Sequence, residues 1–145
     1  MKTLLLTSLL LCLKATLACA ENPATPAAPA STVTHLTAPA AAQSLAAAAA
    51  SKDPAQAITI IDVRTPEEFA QAHLKGAQNL DIASPDFKQN LAKLDPAKTY
   101  LVHCAAGGRS TRTLSLMSQL NFKSILHLDG GLFLPWWSKR GTGEL

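Results

Sequence analysis

Cys104-Ala105-Ala106-Gly107-Gly108-Arg109-Ser110 is the stretch of this sequence whose residue types and spacing can do chemistry. A thiol stands at its head and an arginine near its end, with only alanine and glycine between them. Such small residues let the backbone curl so that successive N–H groups point inward and form an anion-binding nest. A helix beginning near Ser110 adds its positive end, worth roughly 0.3–1 kcal/mol per neighbouring negative charge at a surface. Arg109 adds a permanent cation whose planar fork matches tetrahedral oxyanions. Together these features lower a thiol pKa from about 8.5 toward the roughly 3.5–7.5 range seen at helix N-termini and beside cations. The expected result is a thiolate in a cup of donors, with Cys104 as nucleophile and Ala105, Ala106, Gly107, Gly108 and Arg109 around the substrate.

Those residues need a strand to deliver the thiol and a helix to receive the loop. Thr99–His103 (TYLVH) reads as a buried strand running straight into Cys104, and Ser110–Leu120 as a helix with Leu114, Met117 and Leu120 inward. Asn121, which tolerates the left-handed conformation, stops that helix. Upstream, Val33–Leu36 reads as a short edge strand, and Ala38–Ala50 as a helix with nine alanines among its thirteen residues. Ile58–Ile61 is β-branched and apolar, as a strand buried on both faces is. Thr65-Pro66-Glu67-Glu68 is a capping box with proline at the first helical position, opening a helix to about Ala72. A strand at Ala77–Leu80, an amphipathic helix at Pro85–Leu94, a strand at Ser124–Leu128 and a last helix at Pro135–Arg140 complete the pattern. Strands alternating with helices predict an α/β fold with a largely parallel sheet, in which ligands sit at the carboxyl ends of the strands.

The chain has 145 residues, enough for one domain. Its net charge is +3, but Lys2 and Lys14 fall in an N-terminal segment with the layout of a secretory signal. Met1-Lys2 is positive, Thr3–Leu13 is apolar, and Ala18-Cys19-Ala20 supplies small residues at a cleavage site. Residues 1–20 are therefore expected to be a signal peptide, 21–31 an Ala/Pro-rich linker, and 32–145 the domain. Export points to a bacterial periplasm, with lipid attachment at Cys19 as the alternative. The remaining charge of +1 carries no electrostatic footprint for nucleic acid, and no membrane span is expected in the mature chain. Cleavage would also remove Cys12 and Cys19 and leave Cys104 as a lone thiol, unable to form an internal disulfide.

Cys104-x-x-x-x-Arg109-Ser110, preceded by Asp62-Val63-Arg64-Thr65-Pro66-Glu67-Glu68-Phe69 and His73-Leu74-Lys75-Gly76-Ala77, resembles a single rhodanese domain. Leu128-Asp129-Gly130-Gly131 is similar to that family's next landmark. The likeness runs from about Thr32 to Gly141. It implies the rhodanese three-layer fold, about five parallel strands flanked by helices. It implies a sulfurtransferase in which Cys104 takes a sulfane sulfur as a persulfide, cradled by the backbone of Ala105 to Arg109. The implied partners are a small donor, thiosulfate or a persulfide, and a thiol or cyanide acceptor, with no metal or organic cofactor. Ala105 and Ala106 depart from the pattern, since many sulfurtransferases carry a charge just after the nucleophile.

Three further readings accompany this one. A persulfide carrier that hands sulfur to a partner without turnover would need the same cysteine. A Cys-dependent phosphatase or arsenate reductase is disfavoured by the loop, which has four residues between Cys104 and Arg109 where tyrosine phosphatases have five. His103 should point away from Cys104 on an alternating strand and serve packing. His35, His73 and His127 show no metal-ligand spacing. Asp62 and Arg64 are expected to brace the sheet end and the helix that Glu68 caps, while Ser110 supports the loop.

Overall fold

A computed structural model describes residues 31–133 of the chain. Residues 1–30, read as the signal and all but the last residue of the linker, and the helix expected at Pro135–Arg140 lie outside the described residues. The elements in chain order are β1 (Thr32–Leu36), α1 (Ala38–Ala50), a 3-10 turn (Pro54–Gln56), β2 (Ile58–Asp62), α2 (Pro66–Gln71) and β3 (Gln78–Asn79). They continue with α3 (Phe87–Ala92), β4 (Thr99–His103), α4 (Gly108–Gln119), β5 (Ser124–Leu128) and a 3-10 turn at Gly131–Phe133. The five strands form one sheet in the order β1-β5-β4-β2-β3, parallel at every pairing. This is the α/β architecture that the alternating pattern predicts.

Because side chains alternate along a strand, the central strand β4 feeds two cores. Tyr100 and Val102, with Cys104 after them, join Ile61, Val63 and Ile125 beneath Phe87, Leu91, Leu114, Met117 and Phe122. Leu101 faces the other way, into a cluster with Ile60, Leu74, Leu128 and the α1 alanines Ala38 and Ala41. Those alanines are fully buried, and Leu45 of the same helix packs against the cluster. Helices on both faces of the sheet give three layers.

Several boundaries differ from the sequence reading. The helix expected over Pro85–Leu94 is the shorter α3, and the strand expected over Ala77–Leu80 contributes only Gln78 and Asn79 to pairing. Leu120, expected inward, is exposed. The cause is the turn that ends α4. Asn121 sits at φ 60, the Phe122 N–H donates to the Met117 carbonyl and the Asn121 N–H to the Ser118 carbonyl. That Schellman closure carries Phe122 back into the core in place of Leu120.

The capping box of α2 forms in full. The Thr65 hydroxyl accepts from the Glu68 N–H, and the Glu68 carboxylate accepts from the Thr65 N–H. Arg64 joins Asp62, at the end of β2, to the end of α2. The Arg64 guanidinium donates to both Asp62 oxygens, at 2.6 and 2.9 Å, and to the Ala72 carbonyl at the end of α2, at 2.6 Å.

Candidate active site

Cys104 follows the last residue of β4, at the carboxyl edge of the sheet, with β5 on one side of that strand and β2 on the other. The chain then turns through Ala105 and Ala106 to Gly107, whose φ of 94 marks the entry to α4. Helix α4 starts at Gly108, two residues before the expected start, so its first turn lies inside the loop. The Gly107 N–H donates to the Cys104 Sγ at 3.1 Å, and the Ser110 Oγ lies 3.4 Å from the same sulfur. Cys104 is itself buried, Ala105, Gly107 and Arg109 are half-buried, and Ala106 and Gly108 are exposed.

The thiol's pKa reflects a contest. Burial pushes it up, but the Ser110 hydroxyl and the backbone N–H groups of Ser110, Ala106 and Gly107 outweigh burial and leave it below its ordinary value. The Ser110 hydroxyl is the largest of these downward contributions, with the backbone N–H groups beside it.

Arg109 is placed differently from the sequence expectation. Its two terminal nitrogens donate to the two carboxylate oxygens of Glu68, at 2.6 and 2.7 Å. The hydrogen bonds from Arg109 hold the Glu68 carboxyl down to about 2 against the opposing effect of burial. Glu68 raises the Arg109 pKa in turn, and the Cys104 thiolate contributes to the same shift. Glu68 therefore belongs to the site, joined to it across 41 residues, whereas the sequence showed it only as a helix cap.

The loop is also supported from below. The Leu132 N–H donates to the Cys104 carbonyl at 2.9 Å. Gly131, at φ 62, lies so close that a Cβ built on it would stand 2.3 Å from the Cys104 carbonyl oxygen and 2.5 Å from the Ala105 carbonyl. Only glycine fits there, which gives the Gly130-Gly131 landmark a physical reason.

Two histidines surround the site without touching the sulfur. His103 is fully buried and points to the face opposite Cys104, as alternation predicts, and neither ring nitrogen has a hydrogen-bond partner. Burial lowers its pKa to about 4, against the pull of Asp62, whose carboxylate lies 3.8 Å away. His127 places Nε2 2.8 Å from the Ser110 Oγ. Burial lowers its pKa too, with Asp129 acting in the opposite direction.

A five-stranded parallel sheet with a cysteine-headed loop at the carboxyl end of its central strand is the arrangement of a rhodanese-type domain. A rhodanese-like domain is matched over residues 41–138, and the chain belongs to that family. It is similar to a probable adenylyltransferase/sulfurtransferase, MoeZ, of Mycobacterium tuberculosis, with 32% identity over 88 residues, covering 61% of this chain and 22% of MoeZ. A mitochondrial protein of Schizosaccharomyces pombe, named provisionally as a thiosulfate sulfurtransferase, is 30% identical over 91 residues, covering 55% of this chain and 63% of that protein. In structure, the chain is similar to a rhodanese-like domain protein from Staphylococcus aureus. That match has a TM-score of 0.61 at 22% identity and covers 77% of this chain and 98% of the other. The chain thus spans about a fifth of the length of MoeZ, and the likeness to the Staphylococcus protein is one of fold.

Proposed function

We propose that this protein is a sulfurtransferase that moves a sulfane sulfur from thiosulfate or a persulfide donor to a thiophilic acceptor through a persulfide on Cys104. The observation that carries the reading is the Cys104 sulfur, set against the Gly107 N–H at 3.1 Å, with burial outweighed by hydrogen bonds that favour the thiolate. The names of the sulfurtransferase relatives support the same class.

In the first half-reaction the Cys104 thiolate attacks the outer sulfur of thiosulfate. An S–S bond forms to the cysteine, the S–S bond within thiosulfate breaks, and sulfite leaves with the electron pair. The terminal persulfide sulfur then carries negative charge where the loop N–H groups can receive it. In the second half-reaction cyanide or a thiolate attacks that terminal sulfur and the Cys104 thiolate departs. The chemistry is ping-pong, balanced at each step, and uses no redox partner. Arg109, held by Glu68, supplies a fixed cation beside the sulfur.

The Glu68–Arg109 pairing favours one refinement. A carboxylate that occupies both arms of the guanidinium weakens the attraction for a dianion such as thiosulfate, and so supports persulfide donors and a carrier role alongside turnover. Steady-state sulfite release tests this: a turnover enzyme continues with cyanide present, and a carrier stops after one equivalent. In keeping with the N-terminal layout, the proposed place of action is the periplasm.

A further inference from the structure

We propose that His35, His127 and Asp129 form a binding site for one divalent first-row transition metal ion of the zinc class, beside the cysteine loop. The fold builds this cluster from residues far apart in sequence. His35 on β1 and His127 on β5 are direct partners in the parallel register, and Asp129 follows two residues after His127. The Asp129 N–H donates to the Leu36 carbonyl, which fixes the end of β5 against β1.

Three ligand atoms converge. His35 Nδ1 and His127 Nδ1 each lie 3.0 Å from the same oxygen, Asp129 Oδ1, and 3.1 Å from one another. With bonds of about 2.0–2.2 Å, ligand–ligand edges around zinc come to roughly 3.3 Å in a tetrahedron and roughly 2.9 Å in an octahedron. The observed triangle, with edges of 3.0, 3.0 and 3.1 Å, matches an octahedral face and is a few tenths of an ångström tighter than a tetrahedral one. Protonated at Nδ1, the two rings could each donate to Asp129 Oδ1, but the contact between the two nitrogens would then be no hydrogen bond; with either Nδ1 unprotonated, its lone pair joins the carboxylate oxygen as a ligand atom.

Ser110 sharpens the point. Its single hydroxyl hydrogen can go to the Gly107 carbonyl at 2.8 Å, to an ionised Cys104 or to His127 Nε2. In the first two cases the Ser110 oxygen accepts from His127 Nε2, which then carries a hydrogen. The Nδ1 of a neutral His127 ring then turns a lone pair toward a carboxylate oxygen and a second imidazole nitrogen. Acceptors so close together need a proton or a cation between them. A ligating histidine whose other nitrogen donates to a fixed oxygen is the usual outer-shell arrangement of a metal site.

Two imidazoles and one carboxylate select zinc, iron, cobalt, nickel or copper over calcium and magnesium. His35 and Asp129 are exposed and His127 is buried, so the ion would sit at the surface with positions open to water or an anion. The absence of metal-ligand spacing along the sequence is no obstacle, because the site comes from strand pairing.

The test is titration of the chelator-treated full chain with Co²⁺ alone, followed by Zn²⁺ competition. The expected result is one ion per chain, with visible d–d bands and no thiolate charge-transfer band, and with binding retained in Cys104→Ser. Affinity should fall by about tenfold or more in each of His35→Ala and Asp129→Asn, in line with the loss of a ligand or its support. Both residues are exposed, and circular dichroism checks that the variants fold. No cobalt spectrum would mean that a proton alone holds the cluster, which overturns the proposal. Unchanged affinity in either variant, or a charge-transfer band that vanishes with Cys104→Ser, overturns it as well.

Discussion

Arg109 spends both arms of its guanidinium on Glu68, so the cation at the end of the cysteine loop is anchored to the first turn of α2. The pair is half-exposed, and its importance lies in geometry and local charge more than in stability. It ties the loop after β4 to the helix after β2.

Glu68→Gln tests that anchoring. Glutamine keeps a capping-box acceptor for the Thr65 N–H but leaves the Arg109 charge uncompensated. Freed of its counter-charge, Arg109 should stabilise the thiolate further and lower the Cys104 pKa. Iodoacetamide alkylation followed against pH should therefore shift its midpoint downward relative to wild type. Arg109→Lys removes the fork while keeping a charge, and sulfur transfer should fall on the order of tenfold to a hundredfold with little change in thermal stability.

Ser110→Ala removes a hydrogen bond that favours the Cys104 thiolate and leaves the opposing effect of burial in place. The thiol pKa should rise. The same alkylation profile measures it, and the midpoint must move opposite to that of Glu68→Gln. An unmoved midpoint would show that the backbone N–H groups act alone.

His103 predicts a pH dependence of folding. Its ordinary pKa of 6.5 is lowered to about 4 in the folded chain, where burial outweighs the pull of Asp62 and neither ring nitrogen has a hydrogen-bond partner. Between pH 6.5 and about 4 the unfolded chain takes up a proton that the native ring refuses. Stability therefore falls as pH falls through that window, by on the order of 3 kcal/mol from this group once both values are passed. Denaturant melts of wild type and His103→Leu across the range should show the slope reduced in the variant, which has no ring to titrate.

Gly131→Ala places a methyl group inside contact distance of the Cys104 and Ala105 backbone, at a positive φ that L side chains rarely adopt. A cost of about 2 kcal/mol or more is expected, with the loop displaced. Chemical denaturation measures the first effect and the rate of thiol alkylation the second. Gly76→Ala is the control: it shares the positive φ but meets nothing within 4 Å, so it should destabilise less and leave the thiol unaffected.

What could be read from the sequence was what is local in it. The capping box at Thr65–Glu68 is complete within four residues, and it forms as written. The small residues after Cys104 foretell inward N–H groups because composition alone frees the backbone to curl. The parallel sheet follows from apolar β-branched runs separated by helices. The Glu68–Arg109 pair and the His35–His127–Asp129 triangle could not be read, because each depends on which strands become neighbours. Arg109 looked like a free fork since its partner lies 41 residues upstream, and His35 meets His127 across 92 residues only because β1 pairs with β5. Leu120 was misplaced for a smaller reason: the helical period was extended one residue past Gln119, the end of α4, onto the cap that precedes the turn at Asn121.

Intact mass of the protein after exposure to thiosulfate, measured beside Cys104→Ser, tests persulfide formation most directly. Wild type should gain the mass of one sulfur atom, lose it on addition of cyanide, and the variant should gain nothing. A wild-type mass that stays unchanged with thiosulfate and with a small-molecule persulfide, in a folded protein whose thiol remains free, would contradict sulfur transfer through Cys104.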